Sequence, residues 1–97
     1  MQYHNLGWLY QTTKEYERSE EMYLKAISLK EALLGKDDIE VGLSVFPLAV
    51  LYTHNLVNYE QAEELYLRSI NISTRLFGSS YDGLRFNYRG LGQVRRP

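Results

Sequence analysis

The chain repeats itself, and this limits what its 97 residues can fold into more than any other feature. The stretch Tyr16-Glu17-Arg18-Ser19-Glu20-Glu21-Met22-Tyr23-Leu24-Lys25-Ala26-Ile27 returns as Tyr59-Glu60-Gln61-Ala62-Glu63-Glu64-Leu65-Tyr66-Leu67-Arg68-Ser69-Ile70, a shift of 43. Upstream, Leu6-Gly7-Trp8-Leu9-Tyr10 returns as Leu48-Ala49-Val50-Leu51-Tyr52 at a shift of 42. Downstream, Leu34-Gly35 returns as Phe77-Gly78, and Val45-Phe46-Pro47-Leu48-Ala49 as Tyr88-Arg89-Gly90-Leu91-Gly92. Self-similarity at such a period marks an array of small units, each burying its apolar face against its neighbours. The chain reads as one domain with unit 1 over 1–35, unit 2 over 36–78 and a partial unit 3 over 79–97.

Within each unit the apolar pattern is helical. Ser19, Met22, Tyr23, Ala26 and Ile27, and their counterparts Ala62, Leu65, Tyr66, Ser69 and Ile70, recur at the spacing of one helix face. The opposite face is charged, with Glu21 placed to pair with Lys25 and Glu64 with Arg68 at i,i+4. Gly35 and Gly78 fall where a left-handed residue ends a helix. Asp37 with Glu40, and Asn58 with Gln61, are placed to open the next helices as capping boxes. Helices are expected near 2–12, 15–34, 38–54, 59–77 and 81–93. Pro47, helped by Gly42, is expected to bend or loosen the third near 43–47, because an interior proline costs about 3 kcal/mol.

The small residues decide which helical repeat this is. Tyr3-x-x-Leu6-Gly7-x-x-Tyr10, then Ser19-x-x-x-Tyr23, then Ala26, fits the tetratricopeptide pattern W-x-x-L-G-x-x-Y, A-x-x-x-F with conservative exchanges. Unit 2 fits as Val45-x-x-Leu48-Ala49-x-x-Tyr52, then Ala62-x-x-x-Tyr66, then Ser69. The pattern has a packing reason: Gly7 or Ala49 on a first helix must meet Ser19 or Ala62 on a second, and only small side chains let the two backbones approach. Tyr10, Tyr23, Tyr52 and Tyr66 then fill the space beside each contact. The expected fold is all-α: about five helices in tetratricopeptide hairpins, stacked as a right-handed solenoid segment.

The period exceeds the usual 34 of this repeat, and the extra length lies in long second helices ending in Leu34-Gly35-Lys36-Asp37-Asp38 and Phe77-Gly78. With Asn5-Leu6-Gly7-Trp8-Leu9-Tyr10, these phrases resemble the kinesin-light-chain type of repeat. The resemblance implies a cytoplasmic adaptor that holds client proteins or peptides. Within the family it is similar to a substrate receptor that joins cullin-2 ubiquitin ligase components, or to a cargo adaptor linked to microtubule motors, with cytoskeletal or nuclear association implied in turn. The chain departs from the pattern at Pro47, in Gly92-Gln93-Val94-Arg95-Arg96-Pro97, and in the missing opening turn of unit 1, so it reads as cut from something longer.

Composition closes off other classes. Net charge is −1 with acids and bases interspersed, so no long-range field favours nucleic acid or an acidic membrane. Arg85, Arg89, Arg95 and Arg96 form no repeated basic stripe, and the 15–34 helix is too acidic for a DNA-recognition helix. Without cysteine there are no disulfides, thiolate nucleophiles or cysteine-based zinc sites. His4 and His54 lie on different helices with no second ligand at metal spacing, so no metal is expected. The doublets Glu20-Glu21 and Glu63-Glu64 sit on a solvated face unsuited to acid–base work, and no nucleophile or phosphate-cradling motif appears. Asn71-Ile72-Ser73 matches a glycosylation acceptor but falls mid-helix. The N-terminus lacks the basic start and apolar run of a signal peptide, and the run Val45–Tyr52 is far shorter than a membrane span. No enzymatic activity and no cofactor are expected.

What remains is the groove. In stacked hairpins the first helices line one side, and their residues outside the Leu-Gly-Tyr packing face point into it. The candidate peptide-binding residues are His4, Asn5, Trp8 and Gln11, then Phe46, Val50, Thr53 and His54, then Phe86, Arg89 and Gln93. Exposed aromatics beside hydrogen-bonding groups suit a peptide site, and Arg89, with Asn5 and Trp8, is expected to read an acidic group of the client. The competing reading is a structural segment with no ligand, its aromatics covered by neighbouring units.

Overall fold

A computed structural model describes residues 2–95 of the chain. Arg96, counted above among the C-terminal arginines, lies outside the described residues. Five helices follow one another, α1 (Tyr3–Thr12), α2 (Tyr16–Leu34), α3 (Ile39–His54), α4 (Tyr59–Phe77) and α5 (Leu84–Val94), and no strand occurs among the described residues. Each helix packs on the next, and α5 also touches α3, so two helical hairpins stack and α5 closes on the second.

The ends of the elements follow local chemistry. Gly35 and Gly78 stop α2 and α4 at φ +96° and +85° with extended ψ, a region open essentially to glycine alone. Asn58 opens α4 as expected, accepting from the Gln61 amide at 3.3 Å. For α3 the cap is Asp38, which accepts from the Glu40 amide at 2.9 Å, and not Asp37. Asp37 instead reaches Arg75 on α4 at 2.9 Å. Lys25 pairs with Glu21 along α2 as the spacing predicts, but Arg68 leaves Glu64 for Glu31 and the Lys36 carbonyl, where it ties α4 to α2. The turns between paired helices each hold a non-glycine residue at positive φ, Lys14 (66°) and Val57 (52°), 43 positions apart.

Pro47 does not interrupt α3, which runs as α-helix from Ile39 to His54. Packing outweighs the local cost. Val41, Val45, Leu48, Ala49 and Leu51 are fully buried between α2, α4 and α5, and burial of the valines and leucines stabilises by about 1.5–3 kcal/mol each. Leu43, whose carbonyl Pro47 leaves without its helical donor, is half exposed.

The small-residue contacts form as the pattern requires. Ser19 is fully buried and donates its hydroxyl to the Gly7 carbonyl at 2.6 Å. A Cβ on Gly7 would lie 2.8 Å from the Tyr23 ring, so only glycine lets α1 rest on that ring. In the second hairpin Ala49 and Ala62 are both fully buried in one core with Tyr52 and Tyr66. The joint between hairpins also repeats: the Tyr52 hydroxyl donates to Glu20 at 2.5 Å, and Arg95, 43 positions on, donates to Glu63 at 2.6 Å.

A depression between the third and fifth helices

Phe46, Val50 and His54 form one i, i+4, i+8 row on α3, and Phe86, Arg89 and Gln93 form a facing row on α5. Together they line a depression of about 320 Å³. Its floor is Tyr66 of α4, fully buried, with Phe46 edge-on to it at 6.1 Å and 65°. Gly90 makes the close approach possible, since a Cβ there would sit 2.3 Å from the Tyr66 ring. Phe86 is 57% exposed, and Arg89 is exposed with no ion pair among the described residues. The wall carries no acid, so the depression presents aromatic surface beside a free guanidinium.

Six of the eleven expected site residues are thus brought together, and five are not. Thr53 is buried, donates to the Ala49 carbonyl at 2.8 Å and bonds the Tyr66 hydroxyl at 3.2 Å. Gln11, its counterpart in α1, accepts from the Tyr23 hydroxyl at 3.3 Å. Both side chains satisfy a core tyrosine and do not face the groove. His4 is held by Ser44 Oγ at 3.0 Å and packs edge-on to Tyr23 at 5.7 Å. Burial, followed by the Lys30 ammonium, lowers its pKa. Asn5 and Trp8 are exposed on α1, Trp8 to 62%, and lie outside the depression, so Arg89 does not share a pocket with them.

Tyr66 and Gly90 were missing from the expected site. The helical pattern places Tyr66 on the packing face, and nothing in the sequence separates Gly90, which meets the Tyr66 ring, from Gly92 two residues on, which meets nothing. Three of the four glutamates in the doublets hold structural contacts: Glu20 takes Tyr52, Glu63 takes Arg95 and Glu21 pairs with Lys25. Among the described residues no cluster of three His, Asp or Glu side chains is arranged to hold a metal. None of the described helices is long and apolar enough to cross a membrane.

Residues 1–40 match the tetratricopeptide repeat family. The match covers α1, α2 and the first residues of α3. The all-helical arrangement is that of a stack of such hairpins, and tetratricopeptide repeats generally mediate protein–protein interaction. No curated protein is significantly similar to the chain.

Proposed function

We propose that the chain is a protein-interaction scaffold that holds an extended client segment in the depression between α3 and α5 and performs no chemistry of its own. The observation that carries this reading is the convergence of Phe46, Phe86 and Arg89, a cation with no partner among the described residues, on one depression. Aromatic area and a free guanidinium together suit a peptide that brings an acidic side chain or a terminal carboxylate. His54 and Gln93 add polar groups able to bond the client backbone. On this reading all 97 residues form one repeat domain of two hairpins and the first helix of a third.

A finer assignment rests on resemblance. Ala26-Ile27-Ser28-Leu29-Lys30-Glu31-Ala32-Leu33-Leu34-Gly35, Leu65-Tyr66-Leu67-Arg68-Ser69-Ile70-Asn71-Ile72 and Tyr88-Arg89-Gly90-Leu91 resemble the C-terminal repeats of amyloid protein-binding protein 2. That likeness supports a cytoplasmic adaptor role with cullin-2 ligase components or microtubule motors as partners.

The test is a client peptide selected from a display library, its affinity then measured calorimetrically. Arg89→Glu is expected to weaken it by about 2 kcal/mol or more without loss of helicity, as a pairing charge becomes a repelling one. Arg85→Glu, outside the depression, should do far less. Equal losses from both, or no peptide at all, would leave this segment as scaffold alone.

A further inference from the structure

The burial of α3 explains why Pro47 is tolerated but not why it is there. Among the described helices α3 alone has a proline inside it. One unit away the same place is held by Asn5 in α1 and by Gly90 in α5, and both keep an amide to donate. Without that amide the Leu43 carbonyl has no helical donor, and none of the other hydrogen bonds among the described residues reaches it. Departures from local sequence rules of this kind collect at functional sites.

The freed carbonyl opens on the side of α3 that walls the depression. At about 100° per residue, Leu43, Phe46, Val50 and His54 fall within about 80° of one another, and a helix carbonyl points along the axis towards the residue four places on. That of Leu43 therefore emerges between Leu43 and Pro47, beside the row of Phe46 and Val50. Gly90, at the place of Pro47 in α5, lines the depression itself, and Asn5, at the same place in α1, is exposed. Leu43 is 52% exposed and Pro47 only partly buried, so the oxygen lies at the surface and not in the core.

An extended client laid along this row brings backbone N–H groups that must find acceptors. The depression offers them at one end, from His54 and Gln93, while its other end is Phe46 and Phe86 and the Tyr66 hydroxyl on its floor is committed to Thr53. The Leu43 carbonyl stands at that aromatic end. In the free protein solvent reaches it, but a client that covers it displaces that solvent. A covered acceptor without a donor is costly, so the client must present an N–H there.

We propose that the Leu43 carbonyl, freed by Pro47, accepts a backbone N–H of the extended client, which fixes the client's register against Phe46 and Phe86 and excludes proline at that client position. The proposal rests on the groove reading above.

The experiment titrates the full chain calorimetrically with the display-selected peptide and with versions of it in which one amide at a time is replaced by an ester, so that each lacks a single N–H. Against the wild type one ester should weaken binding by about three- to tenfold, the size of one neutral hydrogen bond. Pro47→Ala, which returns a donor to the Leu43 carbonyl, should raise the melting temperature by roughly 10 °C and weaken the parent peptide by the same factor, with no further loss from that ester. A merely structural role for the proline would leave the effect of the ester unchanged in the variant. Unweakened binding to Pro47→Ala, an unchanged melting temperature, or no ester whose effect vanishes in the variant overturns the proposal. Loss with Arg89→Glu but not with Pro47→Ala overturns the carbonyl contact and leaves the groove reading intact. Loss with Pro47→Ala and its ester but not with Arg89→Glu keeps the contact and overturns the groove reading. If no peptide is selected, both fall.

Discussion

Two glycines buried inside helices are predicted to respond to alanine with opposite sign. At Gly7 a new Cβ would meet three atoms of the Tyr23 ring at 2.8–3.0 Å. That ring has nowhere to go: Tyr23 is fully buried, its hydroxyl is bonded to Gln11, and His4 stands edge-on against it. At Gly42 the new methyl would meet Ile72 Cγ2 at 3.4 Å, an ordinary contact. Both substitutions gain about 1 kcal/mol of helix propensity at most. Gly7→Ala must set against this about 2–3 kcal/mol of overpacking, which leaves a net loss of about 1–2 kcal/mol. Gly42→Ala keeps its gain. In urea, where a small domain loses about 1–3 kcal/mol per molar denaturant, Gly7→Ala should lower the midpoint of the far-UV circular dichroism transition by roughly 0.5–1.5 M. Gly42→Ala should raise it. A Gly7→Ala midpoint at or above that of the wild type would mean that α1 does not lie on Tyr23, and the packing argument for the whole repeat would fail with it.

Val57 is β-branched yet held at φ 52° and 60% exposed, so Val57→Asn, which tolerates that region, should stabilise by about 1 kcal/mol; a lower melting temperature would refute it. Burial raises the phenol pKa of Tyr23, Tyr52 and Tyr66, with the bond to Glu20 and its charge adding to the effect at Tyr52. The unfolded chain therefore gives up these protons first, near pH 10, and stability present below that pH is lost as it rises. Absorbance at 295 nm should show Tyr23, Tyr52 and Tyr66 titrating only as the helical signal disappears. His4 has the opposite dependence: its pKa is lowered, so stability present above about pH 6.5 is lost as pH falls and the unfolded chain takes the proton. The melting temperature should drop between pH 7.5 and pH 5, and His4→Gln should reduce the drop; an equal drop in both proteins would remove His4 from the account.

The helices were legible because each boundary is set by a few neighbouring residues. Gly35, Gly78 and Asn58 act within one turn, and the observed helices begin and end close to the expected positions. Pro47 departs from its sequence expectation for the converse reason, since its penalty is local while the burial that overrides it comes from α2, α4 and α5. Arg68 shows the same limit: i,i+4 spacing offered Glu64, but the fold supplied Glu31 from another helix. The site was half legible. Helical spacing put Phe46, Val50 and His54 in one row and Phe86, Arg89 and Gln93 in another. It could not separate groove residues from those that satisfy a core hydroxyl, which is where Gln11 and Thr53 went.

The repeat carried more than helix positions, because positions one unit apart keep a contact while changing its chemistry. Tyr52 and Arg95 reach Glu20 and Glu63 from the same place, one as a phenol and one as a guanidinium, so the irregular ending of the third unit preserves the joint. Gly7, Ala49 and Gly92 share another place. The first two are buried by the second helix of their own hairpins, whereas a Cβ on Gly92 would meet nothing within 4 Å. A small residue with no backbone approaching it has no packing reason in this chain alone. In the first two units that place is covered by a small residue with a tyrosine four positions later on the second helix, Ser19 with Tyr23 and Ala62 with Tyr66.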